Sequence, residues 1–161
     1  MSFASMLSEL TAKKVRFVVV GGLAAAAHGS SRVTNDLDIC YDAVDSGNVV
    51  ALAKLLASWE SYPRGVESGL PFIMDERTLL GAPILTLTST EGDIDVMDRI
   101  AGIGPYPEVR KHSEKITALG VSFRVLDLPS LIKAKRAAGR PRDFDHLPEL
   151  EALLALSKRK S

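Results

Sequence analysis

Two strand-like runs of this chain each carry a pair of aspartates separated by one apolar residue: Asp36-Leu-Asp38, and Asp93-Ile-Asp95 within Gly92-Asp-Ile-Asp-Val-Met97. Side chains two apart on a strand point to the same face. Asp36 and Asp38 therefore share one exposed side while Leu37 and Ile39 turn to the core. Two carboxylates this close repel unless a cation neutralises them, and a hard divalent ion such as Mg²⁺ prefers oxygen ligands. A bare D-x-D is more often a solvated strand end. The second pair changes the odds, because if its strand lies beside the first, a third carboxylate joins. Three carboxylates are the usual cage for two Mg²⁺ ions that clamp an in-line phosphoryl displacement. Asp95, in mid-strand, is the expected third acid. Asp93 lies nearer a turn and could be only a turn residue, and Asp98 is expected on the other face.

Two further groups could serve such chemistry. Gly21-Gly22 follows an apolar strand, where glycines let the backbone approach a phosphate and a following helix offers its N–H groups. Ser30, Ser31 and Thr34 add hydroxyls nearby and Arg32 adds a cation. The plainer reading of Gly-Gly is a tight strand-to-helix turn. Near the C-terminus, Lys133, Lys135, Arg136, Arg140 and Arg142 form a local basic cluster. It could hold a triphosphate, or it could be a solvated helix face, the commoner fate of charge runs.

These residues need elements to position them. Phe3, Met6, Leu7 and Leu10 have helical spacing, which predicts a helix over 3–13. Val15–Val20 reads as a buried strand, 23–28 as an alanine-rich helix ended by Gly29, and 30–35 as a polar connection. A second strand covers 36–41, and a helix covers 48–59 with Asp45 or Ser46 as N-cap. Residues 60–83 give no clear assignment. Strands at 84–88 and 93–97 flank a hairpin turn, 101–107 reads as a loop, and short strands at 115–117 and 121–125 flank Gly120. Pro129 opens a helix to 138, Gly139-Arg-Pro breaks it, and 143–156 forms a last helix before a fraying basic tail, 157–161.

Composition bounds the rest. The 161 residues are 46% hydrophobic and 25% charged, as in an ordinary globular protein, which excludes a disordered, collagen-like or coiled-coil chain. Lys plus Arg and Asp plus Glu both total 20, so no global basic field draws in nucleic acid. Cys40 is the only cysteine, which excludes an internal disulfide or a cysteine-based zinc site, and His28, His112 and His146 lack metal-ligand spacing. No segment reaches the roughly 18 apolar residues of a membrane span, and the N-terminus does not read as a secretory signal. The expectation is a cytoplasmic protein without a membrane partner. It is read as a single domain over 1–161, with a core of about 15–126 and a helical part of about 127–158.

The run Gly21-Gly22, a short helix, then Arg32-Val-Thr-Asn-Asp-Leu-Asp38 resembles the signature of the nucleotidyltransferase superfamily, with its polymerase-β-like fold. Within it the chain is most similar to small proteins related to AbiEii-type toxins. These often read A-x-x-x-H-G-x-x-R-x-T-x-D-x-D, here Ala24 to Asp38. They also carry K-R-x-x-G-R-x-x-D-x-x-D, here Lys135-Arg-Ala-Ala-Gly-Arg-Pro-Arg-Asp143 with Asp145 one residue early for the last acid. The resemblance implies an α/β (α+β) fold, a mixed β-sheet flanked by helices with further helices at the C-terminus. It implies Mg²⁺, or Mn²⁺, on Asp36, Asp38 and Asp95, with Asp95 helping to activate the attacking hydroxyl. Gly21, Gly22, Ser30, Arg32, Thr34 and Lys135 would contact the nucleotide. The reaction implied moves a nucleoside monophosphate from an NTP to a hydroxyl on an RNA end such as tRNA, a protein or a small molecule, releasing pyrophosphate. A cognate antitoxin or other partner protein is implied by the same relatives.

The rivals are weaker. A dinucleotide fold needs G-x-G-x-x-G, and the glycine after Gly22 is Gly29. A dehalogenase-like phosphatase runs an apolar strand directly into its first Asp, where this chain has Arg32-Val-Thr-Asn. Cys40 shares the parity of Asp36 and Asp38 and reads as a buried filler. His28 could orient the phosphate loop or simply shape a turn. The alternative of another class is a non-catalytic nucleotide- or partner-binding module of a toxin–antitoxin-like system, disfavoured by the three acids standing intact.

Overall fold

A computed structural model describes residues 3–159. In chain order the elements are α1 (Phe3–Ala12), β1 (Phe17–Val20), α2 (Gly21–Ala27), β2 (Asp36–Tyr41), α3 (Ser46–Ser58), β3 (Tyr62–Pro63), α4 (Glu76–Leu80), β4 (Ile84–Thr88), β5 (Asp93–Met97), β6 (Arg99–Ile100), β7 (Gly104–Pro105), α5 (Tyr106–Lys111), β8 (Ser113–Ala118), β9 (Val121–Leu126), α6 (Leu128–Ala138) and α7 (Pro141–Arg159).

Seven strands form one sheet in the order β3-β4-β5-β2-β1-β9-β8. It is mixed: β1 runs antiparallel to β2 and parallel to β9, while β2 runs parallel to β5. β6 and β7 make a separate two-stranded ladder. The expected mixed sheet with flanking and C-terminal helices is the architecture found. The central strands are apolar for a physical reason. β1 is buried along its whole length, as Phe17-Val-Val-Val20 demands, and in β2 and β5 the apolar residues Leu37, Ile39, Ile94 and Val96 alternate with the acids and are buried. Met6, Leu7 and Leu10 of α1 and Leu52 and Leu56 of α3 join that core. No described helix is long and apolar enough to cross a membrane.

Several boundaries differ from the sequence-based expectation. α2 begins at Gly21, not at Leu23, because Gly21 takes φ +64° and turns the chain directly out of β1. Asp45, one of the two candidate caps, accepts a hydrogen bond from the Asn48 N–H, and the helix starts at Ser46. Asp127 caps α6 through the Ser130 N–H at 2.8 Å. Pro141 does not only break: it opens α7, where its missing N–H costs nothing. Residues 60–83 contain β3 and α4, the latter capped by Asp75 on the Thr78 N–H at 2.9 Å. The expected loop 101–107 holds β7 and the start of α5. The tail is helical to Arg159; Lys160 and Ser161 lie outside the described residues, as do Met1 and Ser2.

Candidate active site

β2 and β5 are adjacent and parallel, in a register that sets Asp36 opposite Asp93 and Asp38 opposite Asp95. Identical D-x-D patterns in register put all four acids on one face. Asp36, Asp38 and Asp95 each offer a carboxylate oxygen, and these oxygens lie within 4.8 Å of one another. Burial of Asp38 and the charges of Asp95 and Asp36 push its carboxyl up to about 8. Asp36 is raised for the same reasons, burial first and then Asp95. One carboxylate oxygen of Asp38, Oδ1, is buried and has no hydrogen-bond partner. A crowded, strained set of hard oxygen donors with an orphaned atom fits a divalent cation.

The acids line a cleft of about 550 Å³, and Lys135, Arg140 and Arg142 line it too, together with the apolar residues Met97, Ile100 and Leu131. Lys135 and Arg140 are held by Asp143, whose side chain is fully buried. It accepts from Arg140 Nε at 2.7 Å, from the Arg140 backbone N–H at 3.1 Å and from Lys135 Nζ at 3.4 Å. Burial opposes ionisation of Asp143, but the Arg140 donors and the Lys135 ammonium overcome it, and its pKa falls to about 2. Hydrogen bonding to Asp143 holds Arg140 more firmly protonated than usual, and the field of Asp38 adds to this. The cleft is therefore lined by carboxylates and by cations, and Arg140 feels the charge of Asp38.

The other expected nucleotide residues separate into two groups. Gly21 lines the cleft with Lys135. A Cβ on Gly21 would overlap the Asp38 carboxylate, so the glycine is required by the acid. Gly21→Ala is expected to cost about 1–2 kcal/mol from the left-handed backbone alone, and to weaken Mn²⁺ binding by displacing Asp38. Urea unfolding and a Mn²⁺ titration check this; a variant of unchanged stability and affinity would contradict it.

Gly22, Ser30, Arg32 and Thr34 make other contacts. A Cβ on Gly22 would meet Thr34 Oγ1 at 2.6 Å, and the Thr34 hydroxyl donates to the Asp36 carbonyl at 3.2 Å. Ser30 donates to Glu149 on α7 and lies 3.0 Å from His146 Nε2. Ser31 donates to Glu149 through both its N–H (3.0 Å) and its hydroxyl (2.7 Å). Hydrogen bonds from Ser30 and Ser31 lower the Glu149 carboxyl to about 2. Arg32 Nη1 donates to the Arg142 carbonyl at 3.4 Å. These contacts clasp the loop before β2 to α7. His28 closes α2 and places Nε2 2.9 Å from the Leu126 carbonyl oxygen. Cys40 is fully buried, and burial, with a smaller push from Asp98, raises its thiol to about 12, which suits the filler reading. Asp145 is exposed, whereas His146, in the position of the motif's last acid, is buried.

Arg64 is the residue that sequence reasoning missed. It follows β3 directly, and its guanidinium reaches Asp95 Oδ1 at 2.6 Å, Asp93 Oδ2 at 3.5 Å and Asp36 Oδ2 at 3.8 Å. Asp93 is thus tied to the cluster through Arg64, beyond the turn role expected for it. Nothing but an isolated cation in a segment rich in prolines and glycines marked Arg64 in the sequence.

No protein-family model matches the chain, and no curated protein matches it. Among solved structures, the fold is similar to that of a Thermotoga maritima protein described as a "putative nucleotidyltransferase". The TM-score is 0.58 at 17% identity, with 90% of this chain and 87% of that one covered. At that identity the likeness shows the fold alone, a nucleotidyltransferase-like mixed sheet flanked by helices; the acidic triad that could hold a metal ion is this chain's own.

Proposed function

We propose that this chain is a metal-dependent nucleotidyltransferase that moves a nucleoside monophosphate from an NTP to a hydroxyl acceptor, releasing pyrophosphate. The observation that carries the reading is that three converging carboxylates share one cleft with Lys135, Arg140 and Arg142. Phosphoryl transfer asks for positioning and charge neutralisation more than for covalent chemistry, and such a cleft supplies both.

Asp36, Asp38 and Asp95 hold Mg²⁺ or Mn²⁺, which neutralises phosphate charge and polarises the phosphorus–oxygen bonds. Asp95 accepts the proton of the attacking hydroxyl. Lys135 and Arg140, oriented by Asp143, take the triphosphate. Gly21 lets the chain pass beside the Asp38 carboxylate without a side chain in the way. Gly22, Ser30, Arg32 and Thr34 act one step back, shaping the loop that delivers Asp36, since the Ser30 hydroxyl is committed to α7. Membership of the AbiEii-like toxins, and with it a cognate partner protein, rests on the sequence motifs.

The test is incubation with each α-labelled NTP, Mg²⁺ or Mn²⁺ and a cell extract. Label moving onto a macromolecule only when metal is present supports the reading. Thermal unfolding gives an independent check, because a ligand at a hundred times its Kd stabilises the native state by about 2.7 kcal/mol. A midpoint that ignores metal and every NTP, with no label transferred, would favour the non-catalytic module.

A further inference from the structure

We infer that Arg64 is a built-in cation of this site: its guanidinium takes the place of one of two metal ions, so the chain works with one divalent ion. The inference rests on the nucleotidyltransferase reading and specifies its cofactor. Four carboxylates, Asp36, Asp38, Asp93 and Asp95, crowd the face of β2 and β5, and Arg64 is the cation inside that group. Its reach is not that of a surface side chain resting on an acid.

The backbone of Arg64 is fixed to β4, its N–H donating to the Thr86 carbonyl at 3.0 Å. Its Nη2 donates to Asp95 Oδ1 at 2.6 Å and to two main-chain carbonyls, Leu87 at 2.8 Å and Ile94 at 3.4 Å. Carbonyls of β4 and β5 thus hold the guanidinium through main-chain atoms of the sheet. A guanidinium is weakly hydrated, permanently charged and able to serve several oxygens at once.

Asp95 serves both: its Oδ1 accepts from Arg64 Nη2 at 2.6 Å, and a carboxylate oxygen of Asp95 lies within 4.8 Å of those offered by Asp36 and Asp38. The charge count agrees. Four carboxylates and one guanidinium leave three negative charges, which one divalent ion reduces to one before the nucleotide enters. The pair of cations that phosphoryl transfer uses is then one metal ion and one arginine.

Mn²⁺ binding to the full, EDTA-stripped chain, followed by electron paramagnetic resonance and calorimetry, tests this without any turnover. The wild type is expected to take up one Mn²⁺ per chain. Arg64→Gln removes the resident charge, and it should bind a second Mn²⁺ or bind the first at least about tenfold more tightly. Arg64→Lys, which keeps the charge, should stay with the wild type. Its binding also decides the matter should the Gln variant fail to fold. Two Mn²⁺ on the wild type, or an Arg64→Gln protein that binds Mn²⁺ as the wild type does, would overturn the inference and leave the transferase reading standing. No Mn²⁺ on the wild type would overturn both.

Discussion

Asp38→Asn is expected to lower nucleotide transfer by about a thousandfold or more, while the metal-free protein becomes less sensitive to alkaline pH. The two effects have one cause. Asp38 is buried beside Asp95 and Asp36, and its carboxyl is pushed up to about 8. An acid whose folded-state pKa lies above its ordinary value contributes stability that is complete below about pH 4 and lost as the pH climbs through 8. In EDTA, the wild-type Tm should therefore fall between pH 6 and 9. The asparagine side chain cannot ionise, so its Tm should fall less, and the two proteins should draw apart at pH 9 in favour of the variant. Mn²⁺ should rescue the wild type at pH 9 and leave the variant much less changed. Scanning calorimetry at the two pH values, with and without metal, reads all of this. Parallel pH slopes for the two proteins would mean that Asp38 carries no such strain.

The second large effect is expected at Asp143. Its side chain is fully buried and answers to Arg140 and Lys135 together. With a pKa of about 2, lower than the ordinary carboxylate, it stabilises the fold above about pH 4 and loses that contribution as the pH falls through 2. Asp143→Ala removes charge-assisted hydrogen bonds and the acceptor for the Arg140 N–H at the start of α7, which should cost about 2–3 kcal/mol in urea unfolding. It also frees the two cations from their positions in the cleft. Affinity for a non-hydrolysable NTP analogue should drop by about tenfold or more, with Mn²⁺ binding by the acids retained. Asp143→Asn, which keeps the shape and loses the charge, should fall between. An alanine variant with wild-type nucleotide affinity would remove Lys135 and Arg140 from the proposed triphosphate contacts.

The acids are legible in the sequence. Strand alternation puts Asp36 with Asp38 and Asp93 with Asp95 whatever the fold, because the side-chain period of a strand is two, and the apolar residues between them have only the core to face. A run of β-branched residues marked β1, the same alternation marked β5, helical spacing marked α1 and α3, and Pro129 marked the start of α6. Local chemistry also named caps, since a proline at a first turn or an aspartate before a helix acts through its nearest neighbours.

What the tertiary structure decided is everything that depends on contacts between distant segments. That β2 lies beside β5, in a parallel register with Asp38 opposite Asp95, is a choice of sheet order that no local pattern encodes. The resemblance gave Ser30 as a phosphate contact, while in the folded chain its hydroxyl donates to Glu149, 119 residues away. Arg64 carried no local signal at all, because its partners on β2, β4 and β5 come from segments 22 to 31 residues away and become neighbours only when the sheet closes. Sequence by itself determined which chemical groups this protein has and which of them share a strand face. Only the folded sheet determined which face meets which, and hence that a guanidinium stands among the carboxylates, because electrostatic energy depends on separation in space and not along the chain.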